Sequence, residues 1–298
     1  MIQNIPASVH QKLLNYAKEN SRPFLEVLQY YYIERFLHRL SKSKYNRVFI
    51  LKGALLLIAR RAQLSRTTKD IDLISYSESN IASLENIVRE ICKQKVKSDG
   101  LKYDPDSVRG EQIIEQNIYP GVRITFRGYL GRSRTNMQID FGFGDKVYPK
   151  TEKIEYPSLL GTSDIKLVGY PLETFISEKL QIMYDLGIIN SRMKDFYDVW
   201  LIARQYNFNG ENLKKAIIRT FKSRDTELIM NPVCFTTEFY TRKEKQWKSF
   251  LKKNDIEDTP KDIKKIITSI KRLINPVIKA VNKKVVFEKK WTYETGWK

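Results

Sequence analysis

The spacing of hydrophobic residues predicts helices at the start of the chain. Apolar positions recur at helical intervals over Ile5–Asn20, and a second helical pattern follows with its apolar residues on one side. Ser21 is placed to cap this second helix, and Pro23 falls in its first turn, where proline is tolerated. A short hydrophobic run, Arg47–Leu51, then leads to Gly53 and a further apolar segment.

The period shortens towards two in the middle of the chain, between about residues 67 and 168, which indicates strands. The polar, turn-like stretch Gly131–Thr135 separates two alternating runs, so these runs are expected to form a hairpin. The elements predicted here are a strand over Lys69–Ser75, a helix over Ser79–Lys97, and strands over Val122–Leu130 and Asn136–Phe143.

After Pro171 the helical period returns and continues. The chain is therefore expected to have a mixed α/β domain over residues 1–165 and a helical domain over residues 166–298. The helices predicted in the second part are Pro171–Leu186, Met193–Gln205, Glu211–Lys222 and Asp262–Val281.

Composition narrows the class of protein. The chain has 298 residues, of which 42% are hydrophobic, which is too many for a disordered protein. Lys and Arg number 53 against 34 Asp and Glu, and this net charge of +19 indicates a polyanionic partner such as nucleic acid. No signal peptide is recognised, and the longest strongly apolar stretch, Ala54–Ala59, is too short to span a bilayer. We expect a cytoplasmic protein without a membrane partner.

Few residues are available for thiol or imidazole chemistry. Cys92 and Cys234 are the two cysteines, too few for a disulfide framework or a structural zinc site. His10 and His38 are the two histidines, which excludes a histidine-rich metal centre and argues against a Ser–His–Asp triad.

Carboxylates on predicted strands are the most informative feature. Asp70 and Asp72 are two apart and therefore share one face of a strand, with Ile71 on the other. Adjacent carboxylates repel unless a cation lies between them, and hard oxygen ligands suit Mg²⁺. Asp140 adds a third strand carboxylate, and Gly53 lies upstream at a strand-to-helix turn. This combination is typical of a two-metal nucleotidyl-transfer site.

Simpler interpretations of these residues remain open. Asp70 and Asp72 could be solvated side chains on an exposed strand face, since a single Asp-x-Asp is a weak signal. Gly53 alone is more typical of an ordinary tight turn than of a phosphate cradle. The chain has no P-loop, and Gly142–Gly144 lacks the context of a dinucleotide fingerprint.

A second group of charged residues lies on predicted helices. Lys179 falls on the apolar stripe of its helix, where it has either a partner or a function, or extends to the surface at the margin of the stripe. Asp195 and Asp198 are one turn apart and share a face. They fit either a salt-bridged turn on the surface or a site that binds triphosphate with a general base.

The last 59 residues, Tyr240–Lys298, hold 17 Lys and Arg against 7 Asp and Glu, which favours contact with an RNA backbone. The aromatic residues of this segment are interpreted mainly as core, with base stacking as the alternative. These are Tyr240, Trp247, Trp291 and Trp297.

Five segments in this order resemble the AbiEii/AbiGii nucleotidyltransferase toxin family, and the resemblance extends over nearly the whole chain. Each motif alone is modest, and their order makes the resemblance specific. The segments are Phe49-Ile-Leu-Lys-Gly53, Arg66-Thr-Thr-Lys-Asp70-Ile-Asp72-Leu73, Gln138-Ile-Asp140-Phe-Gly-Phe-Gly-Asp145, Glu178-Lys179-Leu180 and Ser191-Arg-Met-Lys-Asp195-Phe-Tyr-Asp198, with Glu34-Arg-Phe-Leu-His-Arg-Leu-Ser41 before them.

The resemblance implies an α+β fold, in which a DNA polymerase β-like domain with a mixed sheet flanked by helices is followed by a helical bundle. It implies a Mg²⁺- or Mn²⁺-dependent toxin that transfers a nucleotide from an NTP to RNA, with the 3′ end of tRNA as the expected acceptor. It also implies a cognate AbiEi-like antitoxin as partner.

The resemblance further assigns roles to individual residues. Asp70 and Asp72 would bind the metal, with Asp140 as third carboxylate, while Lys179 and the acidic Asp195 and Asp198 complete the catalytic set. Nucleotide contacts would come from Lys52, Gly53, Ala54, Arg66, Lys179, Arg192 and Lys194.

This chain departs from the family pattern at Ala54, where relatives usually have glycine or serine. Alanine lacks the serine hydroxyl and the conformational freedom of glycine, so the strength of nucleotide binding or the preferred NTP could differ. A non-catalytic nucleotide- or nucleic-acid-binding module is therefore one alternative, although the retained carboxylates argue against it. Nucleotidylation of a protein hydroxyl is another.

Overall fold

The computed structural model describes residues 4–64, 66–76, 80–115, 119–161 and 163–298. Within these ranges it has an α+β fold with a mixed sheet flanked by helices, which confirms the predicted class. The helices are α1 (Ile5–Glu19), α2 (Phe24–Lys42), α3 (Gly53–Ala59), α4 (Ile81–Lys93), α5 (Leu172–Leu186), α6 (Met193–Ala203), α7 (Gly210–Ser223), α8 (Thr237–Lys253) and α9 (Ile263–Asn282). The strands are β1 (Phe49–Leu51), β2 (Ile71–Ser75), β3 (Leu101–Glu115), β4 (Tyr119–Leu130), β5 (Ser133–Phe143), β6 (Glu152–Tyr156), β7 (Ile165–Gly169), β8 (Phe208–Asn209), β9 (Lys290–Thr292) and β10 (Gly296–Trp297).

The chain forms two compact units, each assembled from several stretches. The first, here the sheet unit, comprises Met1–Arg61, Thr67–Gly144 and Glu152–Gly169. The second, here the helical unit, comprises Ala62–Arg66, Asp145–Thr151 and Tyr170–Lys298.

The sheet unit is organised around seven strands in the order β3-β4-β5-β2-β1-β7-β6. The pairs β2–β5 and β1–β7 are parallel, and the other neighbours are antiparallel. In the parallel pair, Ile71 lies beside Ile139 and Asp72 beside Asp140. Both isoleucines are fully buried, so the hydrophobic alternation fixes which face carries the two aspartates.

The predicted hairpin is confirmed, with small changes at its ends. Strands β4 and β5 are antiparallel neighbours, and the connection between them is shorter than expected because β5 already begins at Ser133. Gly131 in this connection has a φ of +58°, a conformation that favours glycine. Strand β2 begins at Ile71, so Asp70 immediately precedes the strand.

Helices α2 and α4 begin at Phe24 and Ile81. The prediction of Ser21 as the cap of α2 is wrong: Pro23 occupies the N-cap position, and Ser21 has a φ of +50° in the preceding turn. Helix α4 begins at Ile81, with the Asn80 side chain accepting a hydrogen bond from the Ser83 amide. The start predicted at Ser79 lies outside the described residues.

The helical unit contains α5 to α9 and a small antiparallel sheet in the order β10-β9-β8. The aromatic side chains expected to be core include Trp247, which is fully buried, and Trp291, which is 4% exposed. Their indole N–H groups donate to the carbonyl oxygens of Pro260 and Ala203, respectively. The core interpretation is thus confirmed for these two residues. In the described part of the chain, no helix combines the length and the apolar character needed to cross a bilayer.

Candidate active site

Gly53 and Asp72 lie against each other in the sheet unit. Gly53 is the first residue of α3 and has a φ of +66°, and a Cβ atom at this position would lie 1.9 Å from Asp72 Oδ2. The neighbouring Lys52 amide donates to the Asp72 carbonyl oxygen at 3.0 Å, which holds the two chain segments together. Only glycine therefore fits beneath the Asp72 carboxylate.

Asp70 lies beside a cavity of about 540 Å³ in the same unit. Residues of α2, including Gln29 and Tyr32, and residues of β5, including Asn136 and Gln138, line this cavity with it. Asp70 is partly exposed, whereas the adjacent Ile71 is fully buried. The alternation expected from the sequence therefore places this carboxylate where a ligand can reach it.

Asp140 is engaged by a neighbouring strand. Arg123 of β4 donates from Nε and Nη2 to the two Asp140 oxygens, both at 2.8 Å, and Gln138 Nε2 lies 3.2 Å from each oxygen. Donation of hydrogen bonds to Asp140 raises the pKa of Arg123, and the charge of Asp70 contributes further. The sequence pattern places Arg123 on the polar face but gives no sign of this pairing.

Asp70, Asp72 and Asp140 are the candidate ligands for a divalent cation. The partly exposed Asp70 and Asp72 supply hard oxygen donors of the kind that Mg²⁺ and Mn²⁺ prefer. Asp140 lies in register with Asp72 but would have to exchange its bonds with Arg123 to become a third ligand. Among the residues described, no three His, Cys, Asp or Glu side chains are already arranged around a common metal position. The donor types fit, and the ligand assignment stays a prediction.

Five of the predicted charged residues form one cluster in the helical unit around two buried aspartates. Lys179 Nζ lies 2.5 Å from Asp195 Oδ1 and 2.9 Å from Asp198 Oδ2. Arg192 Nε donates to Asp195 Oδ2 at 2.6 Å. Arg66 donates from Nε and Nη2 to the two Asp198 oxygens, both at 2.7 Å. Three cations thus surround two carboxylates.

Burial and charge oppose each other in this cluster. Asp195 and Asp198 are fully buried, which by itself raises the pKa of each carboxyl. The charges of Lys179 and Arg192 at Asp195, and of Arg66 and Lys179 at Asp198, outweigh burial and hold both pKa values below their usual range. Burial likewise lowers the pKa of Lys179, but the two aspartates raise it overall. The interpretation as a surface salt-bridged turn is therefore wrong.

The other predicted nucleotide contacts lie in different surroundings. Ala54 and Lys52 are 3% and 6% exposed in the sheet unit. In the helical unit Arg192 is partly exposed and Lys194 is exposed, whereas Arg66 is buried against Asp198. A nucleotide role for each of these residues stays a prediction.

A second polar network in the helical unit was not predicted. Arg224 Nη2 donates to Asp145 Oδ1 at 2.8 Å, and Arg224 Nη1 donates to Gln181 Oε1 at 2.9 Å. The Tyr170 hydroxyl lies 3.1 Å from Asp145 Oδ2 and 2.9 Å from Glu178 Oε1. Asp145 and Glu178 belong to the family-like segments, but no sequence signal indicates that Arg224, far along the chain, joins them.

The comparisons with known proteins identify the family. Residues 35–269 match the family model described as "Nucleotidyl transferase AbiEii toxin, Type IV TA system", so the chain belongs to the AbiEii nucleotidyltransferase toxin family. The search of curated proteins gives no match.

Two solved structures show weak similarity. JHP933 from Helicobacter pylori has 14% identity and a TM-score of 0.47, over 84% of this chain and 92% of that chain. A proposed nucleotidyltransferase from H. pylori has 12% identity and a TM-score of 0.45, over 88% of this chain and 96% of that chain.

Proposed function

We propose that this member of the family transfers a nucleoside monophosphate from an NTP to the 3′ end of an RNA, with tRNA as the acceptor. The family assignment supports nucleotidyl transfer, and one observation supports the location of the chemistry. The Asp72 carboxylate lies directly over Gly53, and Asp70, two residues earlier, lines an accessible cavity. Two carboxylates and a helix that begins at a glycine are the parts this reaction needs.

Asp70 and Asp72 would hold Mg²⁺ or Mn²⁺, and Asp140 would join them on release from Arg123. The bound metal supplies positive charge that stabilises the triphosphate and favours deprotonation of the attacking hydroxyl. The acceptor 3′ oxygen attacks the α-phosphorus, the bond to the β-phosphate oxygen breaks, and pyrophosphate leaves. The hydroxyl proton passes to solvent or to a base.

The buried cluster of the helical unit is proposed to assist through its charge. Arg66, Lys179 and Arg192 carry one positive charge more than Asp195 and Asp198 can neutralise. The exposed parts of this cluster would attract phosphate oxygens, and the buried aspartates would hold Lys179 in place as a positioning contact.

RNA as the acceptor is supported by the charge of the chain. The net charge is +19, and many lysines of Tyr240–Lys298 are exposed, including Lys245, Lys252 and Lys284. Such a surface binds the phosphate backbone through release of counterions. Membership of a type IV toxin–antitoxin family further supports a cognate antitoxin as partner.

Transfer is tested with purified protein, Mg²⁺, total tRNA and each α-³²P-labelled NTP in turn. We expect one labelled NTP or more to label tRNA, and Asp70→Asn to abolish the label. Asp106→Asn, the same change at an exposed position of β3, is the matched control and should keep wild-type activity. Label on protein instead would support nucleotidylation of a protein hydroxyl. Absence of label with every NTP, together with intact tRNA binding, would favour a binding module.

A further inference from the structure

A second cavity of about 940 Å³ lies in the sheet unit, and none of Asp70, Asp72 and Asp140 lines it. It is lined by residues of α1 and α2 and by the segments that precede β3 and β7. It shares no lining residue with the cavity at Asp70. Tyr31, Arg35, His38 and Lys42 face it from α2 at intervals of three and four residues, which places them on one side of that helix.

Two of these side chains are deeply buried and incompletely bonded. Arg35 is 1% exposed, and its Nη1 and Nη2 donate to Ser163 Oγ and to Glu34, but its Nε has no hydrogen-bond partner in the described part of the chain. His38 is 8% exposed, and its Nδ1 likewise lacks a partner there. Buried polar groups are normally paired, so two such nitrogens at one cavity point to a missing polar ligand.

The charge around the cavity is positive. Lys12, Lys42, Lys95 and Lys97 are exposed residues on its lining. The two aspartates of the lining form ion pairs with other side chains. Asp99 accepts two hydrogen bonds from Arg39, and Asp164 pairs with Lys166. The Glu34 carboxylate is also occupied, by Arg35, Ser158 Oγ and the Leu159 amide. An anion entering the cavity would therefore meet the lysines and the side chains of Arg35 and His38.

We propose that this cavity is a binding site for a small phosphate-bearing anion, formed by Arg35 and His38 at its base and by the four lysines at its rim. A phosphate group offers several acceptor oxygens to the guanidinium Nε–H and to an imidazole Nδ1–H. The volume is in the range of sites that hold a molecule as large as a nucleotide. This site does not depend on the transfer reaction, because none of its residues belongs to the proposed active site.

Pyrophosphate is the first probe, added to the full-length protein in EDTA so that no divalent metal is present. The protein has two histidines, so ¹³C-histidine labelling gives one imidazole signal set for His38 and one for His10. His10 packs against Phe24 and does not line the cavity. We expect a saturable shift of the His38 signals and unchanged His10 signals. Parallel titrations with ATP and AMP distinguish phosphate recognition alone from recognition of a whole nucleotide, which would bind more tightly than pyrophosphate.

Charge reversal at the rim tests the location without disturbing the buried residues. The variant Lys42→Glu/Lys97→Glu should bind pyrophosphate about tenfold more weakly or worse, because two attractive charges become repulsive. Lys18→Glu/Lys93→Glu changes the net charge equally at exposed positions outside the cavity and should bind like the wild type. The proposal is overturned if His38 does not respond saturably to pyrophosphate, ATP or AMP, or if both variants weaken binding equally.

Discussion

The Asp72 carboxylate occupies the space that a side chain at residue 53 would need. The gap between Asp72 Oδ2 and the position of a Cβ atom on Gly53 is only 1.9 Å, far below any van der Waals contact. The pairing of β1 with β2 brings these two residues together, and the amide of Lys52 bonds to the carbonyl of Asp72. A helix start and a carboxylate are thereby locked into one arrangement, which is the structural basis of the proposed site.

Gly53→Ala should therefore abolish transfer by displacing Asp72. Misplacement of a reacting group by about 1 Å commonly costs about a hundredfold in rate, and we expect at least that loss in transfer to tRNA. Gly161→Ala is the matched control, since Gly161 has a similar φ of +63° but open space around its Cβ position. Both variants should lose about 1–2 kcal/mol of stability from backbone strain, and only the first should lose activity. Equal activity in the two variants would contradict the assignment.

Arg123 is expected to compete with the metal for Asp140. Its guanidinium binds both oxygens of that carboxylate, and the charge of Asp70 also raises its pKa. Arg123→Gln should lower the Mg²⁺ concentration for half-maximal transfer by about threefold or more, because a competing cation is removed. Arg127→Gln, at an exposed position four residues further along β4, should leave this concentration unchanged. A higher Mg²⁺ requirement in Arg123→Gln would show instead that the arginine assists binding.

The buried cluster of the helical unit should be sensitive to loss of one charge. Asp198→Asn would leave Arg66 buried without its counterion and Lys179 with Asp195 alone, and loss of one partner from such a network typically costs about 3–5 kcal/mol. Urea unfolding should show this decrease, while Asp258→Asn, at an exposed position, should change stability by less than about 0.5 kcal/mol. A loss below about 1 kcal/mol in Asp198→Asn would mean that water screens the pair.

His38 should make the protein less stable in mild acid. Burial lowers its pKa to about 4, and the positive charges of Arg35 and Lys42 act in the same direction. Since the unfolded imidazole titrates near 6.5, the unfolded state binds more protons between these values, and stability falls as the pH drops through this window. From pH 7.5 to 5 the wild type should lose about 2 kcal/mol more than His38→Gln in urea unfolding. The same loss in both proteins would show that protonation of His38 is not the cause of the lower stability in acid.

The sequence predicted those elements in which the pattern of hydrophobic and polar residues repeats regularly within the element itself. The alternation of β4 and β5 and the helical spacing of α1, α5 and α9 are confirmed because each buries one face against a core. Strand β3 was not predicted, since Asp104, Pro105 and Asp106 interrupt its pattern where the register with β4 shifts. Helix α8 was missed because its buried positions, Phe239, Lys243, Trp247 and Leu251, include a lysine within a strongly polar stretch.

The sequence predicted which residues belong to the candidate site. It did not predict which of them pair with each other. The Asp-x-Asp spacing predicts that both carboxylates lie on one face, and Ile71 between them is buried as this pattern requires. The pairing of Arg66 with Asp198 joins residues 132 positions apart, and that of Arg123 with Asp140 depends on strand register. Such contacts arise from tertiary packing, which residue spacing does not encode.

The most direct test of nucleotidyl transfer compares the fates of the α-phosphate and the γ-phosphate of the NTP. Wild-type protein is incubated with Mg²⁺, tRNA and the active NTP, labelled with ³²P at the α- or the γ-phosphate, beside Asp72→Asn. We expect that only the α-label enters tRNA, that this label is lost when the 3′ end is blocked, and that Asp72→Asn transfers none. Entry of the γ-label, or undiminished α-label with Asp72→Asn, would contradict the proposed transfer.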